Sequence, residues 1–165
     1  MTGLPGSGKS TLGKELARRL NMLFYDLDVL VEEGDGRTVR EIFAESGEAQ
    51  FRIIEKSCLE TFLKIPGNCI LATGGGTPCF FDNLALMKAA GPVVFLDVAP
   101  EEIAMRLSGE GLSKRPLFRG ESSVEKIKLR LSNLLKERIP FYRQADIVFQ
   151  GNQAQDLEQL IRRLL

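Results

Sequence analysis

The chain has 165 residues, with 22 Lys plus Arg against 22 Asp plus Glu, no His, and 44% apolar residues. That length and composition suit one globular domain with a sizeable core, and the zero net charge argues against a general nucleic-acid or membrane-surface role. No apolar run approaches the roughly 18 residues of a membrane span, and the lack of His excludes a His/Cys zinc site and His-based catalysis.

The first stretch is Gly3-Leu4-Pro5-Gly6-Ser7-Gly8-Lys9-Ser10, followed by Thr11. It fits the phosphate-binding loop, Gly, four residues, then Gly-Lys-Ser/Thr, at every fixed position. Gly6 and Gly8 lack a Cβ, so the backbone can turn its N–H groups around a phosphate tail. Lys9 adds a point charge for the β- and γ-phosphates, and the Ser10 hydroxyl suits Mg²⁺. The following helix points its positive end at the same anion. The plainer reading is a Gly/Pro/Ser turn that caps a helix, which would not need Gly-Lys-Ser-Thr. Such a loop normally hangs from a buried strand. Only Met1 and Thr2 precede Gly3, so we expect the first strand to be missing, with a few residues of it lying upstream.

Lys9 to Leu20 is predicted helical, with Leu12, Leu16 and Leu20 on one face. Leu23 to Asp26 is predicted as a short buried strand. A helix from Asp28 to Glu33 breaks at Gly34 and Gly36. Thr38 caps the next helix with Glu41 as its capping-box partner. Gly47 should break it, and a longer helix should run from Glu48 to about Lys64. Cys69 to Thr73 is predicted as a strand, followed by Gly74-Gly75-Gly76. Asn83 to Ala90 should be helical and Val93 to Asp97 a buried strand. Pro100 opens a helix to Leu107, and Ser108 to Ser122 is expected to be a mobile loop. Val124 to Gln144 is predicted as a long helix with a kink or stop at Pro140. Ile147 to Phe149 closes the strands, and Ala154 to Leu165 should be an amphipathic helix. Alternating strands and helices predict one α/β domain over residues 1–165, with a parallel sheet covered on both faces. Ligands in such sheets sit at the carboxyl ends of the strands. Cys58, Cys69 and Cys79 are odd in number and form no metal-spaced pair, which suits a reduced, cytoplasmic setting.

Several residues can carry chemistry beside the loop. Asp26 and Asp28 share one side of a strand-like stretch. One carboxylate can support Mg²⁺ and the other accept a proton; equally, they can be a strand-end acid and a helix N-cap. Asp97, ending an apolar run, competes for the metal role, and sequence order leaves the choice open. Arg52 and Glu55 are neighbours on a helix, either a surface ion pair worth about 0–1 kcal/mol or an oriented anion-binding pair. Gly74-Gly75-Gly76 is either a turn or a second backbone cradle. Arg115 is a candidate lid arginine, and Arg138 begins Arg-Ile-Pro-Phe-Tyr.

These motifs, taken in order, resemble the shikimate kinases: the loop from Gly3, Asp26-Leu27-Asp28, Ile42-Phe43, Gly47-Glu48, Phe51-Arg52, Thr73-Gly74-Gly75-Gly76, Arg115-Pro116-Leu117, and Glu137 to Tyr142 leading to Ala145-Asp146. The resemblance implies a nucleoside-monophosphate-kinase-like P-loop fold of three α/β/α layers. Its five-stranded parallel sheet would have the order 2-3-1-4-5, counting the strand before the loop first. Residues 28–64 would bind substrate and 108–122 form the lid. The implied reaction phosphorylates shikimate from ATP with Mg²⁺, in a cytoplasmic monomer with no nucleic-acid or membrane partner.

Residue by residue, the resemblance gives Gly6, Ser7, Gly8, Lys9, Ser10 and Thr11 to the nucleotide, and Ser10 and Asp26 to Mg²⁺. Asp28 would bind substrate hydroxyls and act as base. Arg52 and Arg138 would clamp the shikimate carboxylate. Gly74, Gly75 and Gly76 would line the substrate site, Gly75 and Gly76 donating N–H groups, and Val39, Phe43 and Phe51 would wall the ring. Lys9 and Arg115 would be catalytic, Arg115 with Arg106 and Asn152 also meeting the nucleotide, and Asp97 becomes structural. Without a first strand, buried backbone groups would stay unpaired, each costing roughly 1–3 kcal/mol. A gluconate-type small-metabolite kinase and a non-catalytic nucleotide binder are the rival readings.

Overall fold

The computed structural model describes residues 1–108 and 123–163. Its elements run α1 (Lys9–Leu20), β1 (Leu23–Asp26), α2 (Leu27–Asp35), α3 (Val39–Phe62), β2 (Cys69–Ala72), α4 (Asn83–Ala90), β3 (Val94–Leu96), α5 (Pro100–Leu107), α6 (Val124–Tyr142), β4 (Ile147–Phe149) and α7 (Ala154–Arg162), with a short 3₁₀ turn at Thr77–Cys79. The α/β alternation is as the sequence predicts. The expected lid, Arg115 included, lies outside the described residues.

Local chemistry explains most boundaries. Thr38 and Glu41 form the full capping box of α3. Gly47 interrupts that helix with φ 76° and ψ 173°, a conformation glycine adopts without steric cost. Pro140 lies inside α6, which continues two residues beyond it to Tyr142. Its last turn is anchored by Tyr142, fully buried and stacked on Phe95 with ring centroids 4.7 Å apart. That packing outweighs the hydrogen bond a proline cannot donate.

Four strands form two parallel pairs among the described residues, β1 with β2 and β3 with β4. As expected for a five-stranded sheet whose first strand is missing, no strand is assigned before Gly3. Met1 and Thr2 nonetheless carry backbone bonds toward both pairs. The Met1 nitrogen donates to the Leu71 carbonyl at 2.6 Å, and Thr73 N–H donates to the Met1 carbonyl at 3.0 Å. On the other side, Thr2 N–H donates to Val94 at 2.8 Å and Leu96 N–H donates to Thr2 at 2.9 Å. The backbone groups expected to be orphaned at Thr73, Val94 and Leu96 are therefore paired.

The main core lies around β3 and β4, with Leu4, Leu16, Phe95, Ile103, Leu131, Tyr142 and Leu157 buried together. Smaller clusters sit under β1–β2 and between α2 and α3. Gly6 fits against this core: a Cβ there would lie 2.7 Å from Ile103. The loop is thus seated on α5 as well as on α1.

Candidate active site

The loop from Gly3 to Gly8 turns on left-handed backbone, with φ of 88° at Gly6 and 96° at Gly8. Gly8 caps α1 without a side-chain hydrogen bond, and the first turn carries no acid. The first N–H groups and the positive end of the helix dipole therefore meet whatever lies in the loop. The Ser7 hydroxyl is buried there with no hydrogen-bond partner among the described residues. Lys9 folds back, its ammonium donating to the Gly3 and Leu4 carbonyls at 3.0 and 2.9 Å. Thr11 is exposed on the first turn.

The end of β1 faces this loop. The Ser10 hydroxyl donates to Asp26 at 2.6 Å. The other Asp26 oxygen accepts the backbone N–H of Asp28 at 3.2 Å, which caps α2. Asp28 is solvent-exposed, yet its protein side is crowded. Burial on that side, and then the charges of Asp26 and Glu55, raise its carboxyl from 3.8 to about 6.

The triple glycine after β2 is the meeting point. A Cβ on Gly74 would lie 3.2 Å from the Asp28 carboxylate and 2.9 Å from Glu55. One on Gly75 would lie 2.9 Å from the Gly3 carbonyl and 3.0 Å from Arg138. One on Gly76 would lie 2.5 Å from Arg52 Nη2. The glycines therefore let two guanidinium groups, two carboxylates and the phosphate loop approach a single turn.

Arg52 is buried and held on several sides. Its Nη1 donates to Glu55 at 2.8 Å, and its Nε and Nη2 donate to Glu48 at 3.2 and 2.9 Å. The Phe80 and Phe51 rings lie 4.3 and 5.0 Å from its guanidinium carbon, positions where an aromatic face attracts a cation. Glu55 is fully buried, and its other oxygen accepts the Thr77 hydroxyl at 2.6 Å. Asn83 donates to the Thr77 carbonyl at 3.0 Å. The Tyr142 hydroxyl donates to the Gly75 carbonyl at 2.6 Å. Burial pushes that phenol up to about 12, so it stays protonated as a donor.

The predicted apolar wall lies beside this turn. Phe43 and Phe51 pack with tilted rings, centroids 4.6 Å apart, in a cluster with Val39. Phe51 is buried within it, whereas Phe43 and Val39 are half-buried. Arg106 is exposed and paired with Glu102 on α5, 3.9 Å from where a Gly8 Cβ would be. Asn152 is exposed in the segment between β4 and α7. The Asp97 carboxylate accepts from Gln150 at 2.9 Å, which ties it toward the β4 side.

The sequence did not point to Thr77, Phe80 or Tyr142. The place of Thr77 directly after the glycines, and that of Tyr142 one turn beyond Arg138, were available signals; nothing marked Phe80.

Comparison with known proteins gives a consistent result. The family sequence profile described as shikimate kinase matches residues 5–165. A shikimate kinase of Bacteroides fragilis is 41% identical over 97% of this chain and 88% of its own length. The 1.7 Å crystal structure of a Bacteroides thetaiotaomicron shikimate kinase superposes with a TM-score of 0.88, at 38% identity over 99% of this chain and 94% of that one. An Acinetobacter baumannii shikimate kinase solved in complex with shikimate gives 0.81, at 34% identity over 99% and 89% of the two chains.

Proposed function

Because the chain belongs to the shikimate kinase family, we propose that it transfers the γ-phosphoryl group of ATP to the 3-hydroxyl of shikimate, giving 3-phosphoshikimate and ADP on the way to chorismate and the aromatic amino acids. One observation carries the assignment to these residues: Arg52, Arg138 and Asp28 converge on three consecutive glycines that also touch Gly3 of the phosphate loop. A small ring acid needs that set. Two guanidinium forks match a carboxylate, an acid meets a hydroxyl, and a bare backbone lets the ring lie close.

The site also fits its nucleotide and metal. The unpartnered Ser7 hydroxyl, the left-handed glycines and the uncapped helix start suit a phosphate tail. Ser10 and Asp26 are neighbouring hard-oxygen donors, the type Mg²⁺ prefers. When bound, Mg²⁺ neutralises charge on the β- and γ-phosphates. In our reading Ser10 and Asp26 hold it, and Gly6, Ser7, Gly8 and Thr11 bind the phosphates. Lys9 and Arg115 offset charge on the γ-phosphoryl oxygens. Arg106 and Asn152 flank the adenine.

Arg52 and Arg138 fix the shikimate carboxylate. Gly75 and Gly76 offer N–H groups while Gly74 leaves room, and Val39, Phe43 and Phe51 wall the ring. Asp28 accepts the proton of the attacking hydroxyl. Its raised pKa, about 6, leaves it ionised at neutral pH and brings it nearer the range where a base works best. The phosphoryl group then passes in line from ATP to that oxygen, and ADP leaves.

We read Met1–Thr2 as the central position of a five-stranded sheet of order 2-3-1-4-5. It is bonded toward both strand pairs, as that order requires. The chain acts as one domain and, in this reading, as a cytoplasmic monomer. No helix of the described residues is long and apolar enough to cross a membrane, and Cys58, Cys69 and Cys79 are unpaired.

The test is ADP release coupled to a spectrophotometric readout, with shikimate against gluconate as acceptor. Release with shikimate alone is expected. Release with gluconate alone would move the chain to another small-metabolite kinase. ATP binding with no release from either acceptor would mark a non-catalytic binder.

A further inference from the structure

Arg52 has three carboxylate contacts from two different acids, and the two acids are not equivalent. Glu55 is fully buried, and its second oxygen is held by Thr77. Removing it from Arg52 would strand a buried charge, so it is a fixed partner. Glu48 is different. Its side chain is 56% exposed although the arginine it binds is only 8% exposed. A single Glu48 oxygen takes both Nε and Nη2 of the guanidinium, at 3.2 and 2.9 Å. Its other oxygen has no partner among the described residues.

The atom that Glu48 occupies matters. Nη2 is also the Arg52 atom nearest the triple glycine, 2.5 Å from where a Gly76 Cβ would stand. A ligand carboxylate lying against those glycines meets Nη2 first. Glu48 directly follows Gly47, whose left-handed φ of 76° breaks α3. The residue therefore sits at a discontinuity of the helix, where a side chain can leave its contact without unwinding a continuous turn.

We infer that Glu48 is an internal stand-in for the substrate carboxylate: it occupies the substrate-facing fork of Arg52 in the ligand-free protein and is displaced when the substrate's own carboxylate arrives. This rests on the shikimate reading above. Glu48 thereby sets a threshold for ligands. An anionic group in the right place exchanges one carboxylate for another on Arg52. A neutral ring has nothing to put in place of Glu48, and its binding leaves the internal pair intact. Glu48 is a specificity-determining residue that acts through Arg52, and it takes no part in phosphoryl transfer.

The experiment measures shikimate affinity by calorimetry and by KM, in the parent and in Glu48→Gln, Glu45→Gln and Glu48→Ala. Glu45 is an exposed acid on the same helix, paired with Arg37 rather than Arg52, and it reports the general effect of removing a nearby negative charge. The methyl ester of shikimate serves as the neutral ligand. Glu48→Gln and Glu48→Ala are expected to lower Kd and KM for shikimate by up to about fivefold, the range spanned by a partly exposed ion pair, with kcat unchanged. Glu45→Gln should have a smaller effect, and affinity for the ester should move by less than affinity for shikimate. A raised KM in both Glu48 variants would show that Glu48 orients Arg52 for the substrate, and would overturn the inference. So would an unchanged Kd, or equal tightening by Glu45→Gln. If the parent itself neither binds nor turns over shikimate, the proposed function fails and this role fails with it. A parent that turns over shikimate with no change in the Glu48 variants removes only the stand-in role.

Discussion

The Thr77 hydroxyl donates to one oxygen of Glu55 at 2.6 Å while the other oxygen accepts Arg52 at 2.8 Å, and all three residues are buried. The acid is thus shared between the turn that follows β2 and the helix that carries Arg52. Replacing Thr77 with Val keeps the shape and removes one partner from a buried carboxylate. An unsatisfied buried group of this type costs about 1–3 kcal/mol. We expect Thr77→Val to lose stability in that range by urea unfolding and Thr77→Ser to keep most of it. Equal loss in both variants would place the contribution in the threonine methyl group rather than in the hydrogen bond.

Asp28 and Asp97 make a paired test. Asp28→Asn keeps the size and removes the proton acceptor, so turnover should fall by about 10²–10⁴-fold with ATP affinity nearly intact. Asp97→Asn should cost little activity, since its carboxylate faces Gln150. In the parent, kcat/KM should decline as pH falls through about 6, the value to which burial and neighbouring acids raise Asp28. Stability runs in the other direction. The folded pKa lies above its ordinary 3.8, so the native state binds more protons than the unfolded chain between these values. The contribution of Asp28 to stability is therefore present below about 3.8 and lost as pH rises through about 6. Asp28→Asn should accordingly melt at a higher temperature than the parent at pH 7.5, with the gain vanishing toward pH 3.5. An inactive Asp97→Asn beside an active Asp28→Asn would exchange the two assignments.

Lys9→Met should cut turnover by orders of magnitude, because neither Ser10 nor the loop backbone replaces its charge at the γ-phosphate. The Lys9 ammonium also ties the Gly3 and Leu4 carbonyls, so a modest drop in melting temperature should accompany the loss. Circular dichroism should show the fold retained. Turnover within a few-fold of the parent would take Lys9 out of the mechanism.

Gly76 and Gly3 should answer differently to alanine. Gly76 has φ −91°, which any residue adopts, and its added methyl would press on the Arg52 guanidinium. Gly76→Ala should therefore weaken shikimate binding far more than ATP binding, as should Arg52→Lys, which keeps the charge and loses the fork. Gly3 combines φ 147° with a Leu96 carbonyl 2.7 Å from the methyl position, and backbone cannot step aside. Gly3→Ala should lower stability and ATP affinity together. Matching titration profiles for the two alanine variants would contradict this distinction.

What the sequence made legible was local or fixed by spacing. The Thr38–Glu41 cap, the break at Gly47, the helix start at Pro100 and the loop residues each follow from a few neighbouring positions, and all appear as expected. The Arg52–Glu55 pair was foreseeable from helical spacing, but its burial was not. Spacing does not tell which face of α3 meets the turn after β2. The Thr77–Glu55 bond spans 22 positions and Tyr142–Gly75 spans 67, and no periodicity reaches that far. Near Pro140 the local rule was only roughly placed: α6 ends at Tyr142, two residues past the proline, where the tertiary anchor of Tyr142 lies.

Met1 and Thr2 join what would otherwise be two separate ribbons, through bonds that include Met1 to Thr73, 72 positions apart, and the still more remote Thr2 to Leu96. Each strand pair, with its own helices, can gather without this seam. The chain-entropy cost of closing the seam grows only slowly with the separation of its partners. The loop that begins at Gly3 continues directly from that seam. Competence to hold a nucleotide therefore belongs to the joined sheet rather than to either half.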